Sequence, residues 1–134
     1  MNLVKWVLIV GVVLGSSGCA GRAPVPDLPG GTEVHDPVYI ESTQILQLES
    51  FPVQVMLEVV GQLPDACHKA AWVVSDPDSE GRIDVELHSE APLGQDCIQV
   101  LQPMTLRIPI GSFKDGSYVV WLNGEKVGDF SFPG

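Results

Sequence analysis

"GSYVVWLNGEKVGDFSF", Gly116 to Phe132, decides the fold. Asn123-Gly124 falls between two β-rich runs, and a two-residue I′ turn requires positive φ at both central positions, which Asn and Gly tolerate best. The stretch therefore predicts a hairpin. Upstream, "GRIDVELHS" (Gly81 to Ser89) alternates Ile83, Val85 and Leu87 against Arg82, Asp84, Glu86 and His88, the pattern of a half-buried strand. "PVQVMLEVVG" (Pro52 to Gly61) puts Val53, Val55, Leu57 and Val59 on one face. "MTLRIPI" (Met104 to Ile110) points Met104, Leu106, Ile108 and Ile110 inward, and Pro109 marks a strand end or an edge because it has no N–H for a ladder. "VYIESTQILQL" (Val38 to Leu48) is also β-rich, and "AAWVVS" (Ala70 to Ser75) reads as a short buried strand. Trp72 and Trp121 are expected in the core or at its boundary. After Pro37 no stretch sustains helical spacing. About seven strands with turn signals between them predict an all-β, antiparallel, immunoglobulin-like β-sandwich spanning 38–134.

Composition narrows the function classes. Of 134 residues, 45% are hydrophobic and 18% charged, which suits one folded domain rather than a disordered chain. Seven Lys+Arg against seventeen Asp+Glu give a net charge of −10, and removal of residues 1–18 takes Lys5 away, leaving 6 − 17 = −11. Arg22, Lys69, Arg82, Arg107, Lys114 and Lys126 are scattered singly. Nucleic-acid binding needs clustered cations that release counterions, so that class is excluded.

The amino terminus "MNLVKWVLIVGVVLGSSGCA" has a short start carrying Lys5, an apolar stretch from Trp6 to Leu14, and then Gly15, Ser16, Ser17 and Gly18. That is the order of a signal peptide, with an apolar helix too short to stay in a bilayer as a span. These residues resemble the bacterial lipoprotein signal, whose lipobox ends in a small residue followed by the cysteine that becomes the new amino terminus. In this chain the box reads Ser16-Ser17-Gly18-Cys19, with Ser16 where that family usually has Leu. The resemblance implies that residues 1–18 are removed and that Cys19 is lipidated on its thiol and commonly acylated on its amine. Two or more acyl chains hold a protein stably on a membrane. It also implies export, with the outer membrane favoured where the organism has one, since Ala20 replaces the Asp that usually signals inner-membrane retention. Ala20 to Pro37, with four prolines and three glycines, is expected to be a tether.

With Cys19 taken by lipid, Cys67 and Cys97 remain, and an even pair in an exported chain is read as a disulfide. Metal ligation and redox chemistry are the competing readings, and both usually want closer spacing. "ESFPVQV" (Glu49 to Val55), "LPDAC" (Leu63 to Cys67), Cys97 and "GSYVVWLNG" (Gly116 to Gly124) together resemble a small two-cysteine β-sandwich domain of uncharacterised bacterial envelope lipoproteins. That resemblance implies fold and location and carries no activity.

Candidate chemistry is sparse. "DPDSEG" places Asp76, Asp78 and Glu80 on alternate positions with Gly81 sixth, like the start of an EF-hand loop. The twelfth position is Leu87 instead of a bidentate Glu, so the stretch reads as a polar turn with only a weak claim on calcium. His35, His68 and His88 share no metal-ligand spacing: His35 falls in the tether, His68 beside the cysteine pair, His88 on the outward phase of a strand. No GxSxG elbow is present. The expectation is a lipid-anchored envelope protein without a cofactor, acting as a binding or structural module toward another envelope protein or a surface polymer. The alternatives are inhibition of an exported protease by a sandwich loop, or a small envelope hydrolase. Exposed apolar residues on the loops at 89–97 and 113–116 favour partner binding; a pocket with convergent Asp, His and Ser favours catalysis.

Overall fold

The computed structural model describes residues 33–134. The expected signal helix, the lipidated Cys19 and the tether as far as residue 32 lie outside the described residues. Eight strands follow in order: β1 Glu33–Asp36, β2 Tyr39–Gln47, β3 Val53–Leu63, β4 Lys69–Val74, β5 Arg82–Pro92, β6 Gln102–Phe113, β7 Gly116–Leu122 and β8 Glu125–Phe132. No helix among the described residues is long and apolar enough to cross a membrane.

Two sheets face each other. One has the order β2-β3-β6; the other runs β5-β7-β8, with β4 and β1 also pairing with β5. The alternating strands turn their apolar phases into the space between the sheets. Val55, Leu57 and Val59 from β3 and Ile108 and Ile110 from β6 meet Ile83, Val85 and Leu87 from β5, Val120 and Leu122 from β7, and Phe130 from β8. Each such side chain contributes about 1.5–3 kcal/mol by leaving water. Phe113, Tyr118, Phe130 and Phe132 close one end of this core, with ring centroids 4.5–5.7 Å apart along the chain of contacts.

The hairpin that anchored the sequence reading is present. Leu122 pairs with Glu125 across Asn123 (φ 49°) and Gly124 (φ 84°). Asn123 does more than turn the chain. Its side-chain Oδ1 accepts from the Leu87 N–H at 2.8 Å and its Nδ2 donates to the Leu87 carbonyl at 2.9 Å. β7 runs beside Arg82–Val85 of β5, and β1 runs beside Ser89–Pro92. The Asn123 amide thus supplies a surrogate peptide to β5 between β7 and β1, satisfying backbone groups that would be costly to leave unpaired.

Three expectations require correction. The sandwich has eight strands and begins at Glu33, because Glu33–Asp36, placed in the tether, pairs antiparallel with Ser89–Pro92. A four-residue strand with a single apolar residue, Val34, has too little pattern to announce itself, and its partner supplies the order. The sandwich is not purely antiparallel either, since β5 and β7 pair in parallel. Finally, β4 is an edge strand and not a buried one. It pairs only with β5, and Trp72 and Val73 are 40% and 60% exposed. Pro109 lies within β6, which is an edge strand, beside a bulge: Val55 opposes Gly111 and Met56 opposes Pro109, leaving Ile110 as the extra residue. Edge strands and bulges are the places in a sheet that tolerate Pro.

Candidate functional site

The features with most chemistry gather where β5 leaves the sandwich. The Cys67–Cys97 disulfide joins the β3–β4 connection (64–68) to the β5–β6 connection (93–101), with Cα atoms 6.1 Å apart. The cysteines pair with each other, which takes both sulfurs away from a metal. Asp65 lies beneath this bridge and is 2% exposed. Its Oδ1 accepts from the backbone N–H of Cys67 at 2.9 Å and of His68 at 3.2 Å, and its Oδ2 accepts from Gln99 Nε2 at 3.1 Å. Three donors from two loops therefore converge on one carboxylate.

His68 completes the arrangement. Its Nδ1 lies 2.8 Å from Asp65 Oδ1 and its Nε2 2.9 Å from Asp36 Oδ2 on β1. A ring with a carboxylate at each nitrogen is stabilised as imidazolium. The hydrogen bond to Asp65 raises the His68 pKa above its ordinary value, with Asp36 adding to it against the opposing effect of burial. The same bond, with help from the Cys67 N–H, lowers the Asp65 pKa. The ring, held from both sides, ties β1 to the disulfide-linked loops. Both of its nitrogens are engaged by carboxylates, so neither faces a substrate proton. Nearby Ser89 is fully buried and its hydroxyl donates to the Asp36 carbonyl at 3.0 Å, so it is not presented as a nucleophile.

Above this clamp the β5–β6 connection is apolar and exposed. Leu93 is 55% exposed, Ile98 80%, Val100 55% and Leu101 48%. Of the two stretches expected to be contact loops, 89–97 is strand β5 as far as Pro92, with Ser89 and Ala91 buried, and contributes only Leu93 to this surface, and at 113–116 Phe113 turns into the aromatic end of the core. A groove of about 400 Å³ beside the disulfide is lined by Ala66, Cys67, Lys69, Glu90, Pro92 and Gln95 among others. Asp, His and Ser side chains do not converge in it.

The remaining sequence candidates separate. Asp76, Asp78 and Glu80 form the turn between β4 and β5. Asp78 Oδ1 accepts from the backbone N–H groups of Glu80 (2.8 Å) and Arg82 (2.9 Å), which fixes the turn and engages that oxygen locally. Gly81 adopts φ 78° there, and a Cβ on it would strike the Ser117 carbonyl. Trp121 lies under the Arg82 guanidinium, 4.1 Å from ring centroid to Cζ, and Arg82 in turn pairs with Asp84. His35 and His88, which the sequence keeps apart, stack at 4.7 Å because β1 brings His35 against β5. Sequence reasoning missed the Asp36–His68–Asp65 clamp as well, since its members come from a short strand and an irregular loop. The alternation in "IQVLQ" (98–102) was the available sign of the exposed loop.

Comparison with known proteins gives one match: a family model described as the ORF11 beta-sandwich domain aligns with residues 57–132. The matched segment takes in both cysteines, the Asp65–His68 pair and the apolar loop. No curated protein and no solved structure matches the chain.

Proposed function

The chain belongs to the ORF11 beta-sandwich domain family, and from that premise we propose that it is a lipid-anchored envelope protein whose immunoglobulin-like sandwich binds a partner through the loop at 93–101. The observation that carries this reading is the exposure of Leu93, Ile98, Val100 and Leu101 on one connection whose root is fastened by a disulfide and by the Gln99–Asp65 hydrogen bond. Burying each of these side chains against a partner contributes about 1.5–3 kcal/mol. A loop already fixed at its root loses less freedom on binding than a slack one, so more of that gain survives as affinity. The partner is an exported protein or a surface polymer with an apolar face.

A braced loop with Ile98 projecting directly after Cys97 also supports the second reading, insertion into the cleft of an exported protease. Both readings predict binding without turnover. The anchor rests on the signal resemblance at Ser16–Cys19. Intact-mass measurement of membrane-extracted protein is expected to show Cys19 at the amino terminus with acyl mass; a retained 1–18 segment would remove the anchor. For the loop, cross-linking in the native envelope is expected to recover a partner with the wild-type chain and to lose it with Ile98→Glu plus Val100→Glu. Equal recovery by both chains would refute the loop as the contact.

A further inference from the structure

We propose that His35, His88 and Glu90 form a surface site for a divalent first-row transition ion such as Zn²⁺ or Cu²⁺. The three residues meet because of register. His35 on β1 lies directly opposite Glu90 on β5, and His88, two residues before Glu90, shares its face of the sheet and lies diagonal to His35. Their ligand atoms all fall within 4.8 Å of one another. His88 Nε2 is 2.6 Å from Glu90 Oε1, and the imidazoles of His35 and His88 stack with planes inclined by 20°, so rotation of the rings about their side-chain bonds has to turn their in-plane nitrogen lone pairs toward one ion beside the carboxylate.

Coordination distances of about 2.0–2.1 Å place the ligand atoms of a tetrahedral zinc site roughly 3.4 Å apart. The widest spacing therefore has to contract by up to about 1.4 Å, and the His88–Glu90 pair has to open by about 0.8 Å and give up its hydrogen bond, a side-chain adjustment, since His35 is exposed and His88 and Glu90 are half-buried. The backbone beneath needs no change because β1 and β5 are already paired. The donor set selects the ion: two imidazoles and one carboxylate suit zinc or copper, whereas magnesium and calcium call for oxygen donors throughout. Three protein ligands leave a coordination position open to water or to a donor from outside the chain. The second group of potential ligands among the described residues, Asp65 with Cys67 and Cys97, is closed by the disulfide. Lys69, opposite Glu90 on β4, is the cation that competes with the ion for the carboxylate.

The test uses the full chain without a polyhistidine tag, titrated with Zn²⁺ against a chromophoric chelator and with Cu²⁺ under electron paramagnetic resonance. One equivalent of each ion is expected to bind, with copper spectra showing nitrogen couplings from two imidazoles. His35→Ala and His88→Ala should each weaken binding at least about tenfold, a loss no smaller than that from an outer-sphere partner. Asp78→Asn, in the β4–β5 turn, should bind as the wild type does. Circular dichroism checks that each variant is folded, and the copper spectrum of the wild-type chain tests the ligand set without any variant. Unchanged affinity in the His35→Ala, His88→Ala double variant would overturn the site. So would a wild-type chain that takes up neither ion at about 100 µM, or copper spectra without nitrogen couplings.

Discussion

Replacing His68 with Ala should destabilise the sandwich by about 3 kcal/mol at pH 6. The substitution removes an imidazolium from between Asp65 and Asp36, at 2.8 and 2.9 Å, and leaves the Asp65 carboxylate buried. Breaking a buried ion pair by deleting one partner costs about 3–5 kcal/mol. The lower end applies because Asp65 keeps the Cys67 N–H and Gln99, and because Asp36 is 40% exposed. Unfolding entropy of about 2.1 cal/mol/K per residue gives roughly 0.2 kcal/mol/K for a domain of this size, so the melting temperature should fall by about 14 °C. The sign of the pH dependence follows from the two shifts. The His68 pKa is raised, so its contribution is complete below the ordinary value of 6.5 and is lost as pH rises through the folded value. The Asp65 pKa is lowered, so its contribution is complete above the ordinary 3.8 and is lost as pH falls through the folded value. Thermal melts followed by circular dichroism between pH 5 and 9 should therefore show the gap between wild type and His68→Ala widest near pH 5–6 and narrowing toward pH 9. A difference below about 1 kcal/mol, or a gap that stays constant from pH 5 to 9, would refute the clamp.

Three further outcomes test the fold that carries the loop. Cys67→Ser with Cys97→Ser opens a loop of 30-residue separation, and the chain-entropy relation gives a loss of about 3.6 kcal/mol, read as a lower urea midpoint. Gly81→Ala should lose more than about 1 kcal/mol in the same assay, because φ 78° is unfavourable for Ala and the new Cβ strikes the Ser117 carbonyl. Asn123→Gly keeps a residue suited to positive φ yet removes the amide that serves Leu87; it should still cost about 1–3 kcal/mol, and a neutral result would show that the surrogate peptide contributes nothing.

The strands that build the core were legible because their apolar positions obey period two and are buried on one face. Leu57, Ile83, Val85 and Ile108 are inward in the sequence pattern and inward in the sandwich. The Asn-Gly turn was legible because only a few residues accept its backbone angles. The functional end was not. β1 is four residues, three of them polar, whose order comes from pairing with β5, so nothing local distinguishes Glu33–Asp36 from a tether, and with that strand hidden neither His35–His88–Glu90 nor Asp36–His68 could be seen. β4 misled for the opposite reason: its apolar run looks like a core strand, but its place at the sheet edge, a property of topology, leaves Val73 uncovered. The disulfide was readable from the cysteine count and the export expected from the amino terminus. Its use as a brace for an exposed apolar loop needed the fold.

The central claim is that the loop at 93–101 is the contact surface of a binding module. A photo-cross-linking residue placed at Ile98, the most exposed large hydrophobic of that loop, tests it in the native envelope. The same probe at Glu125, in the β7–β8 hairpin, serves as the control. A discrete adduct from position 98, absent from position 125 and lost when Val100 is changed to Glu, is the expected result. No adduct from position 98, or the same adduct from both positions, would contradict the account.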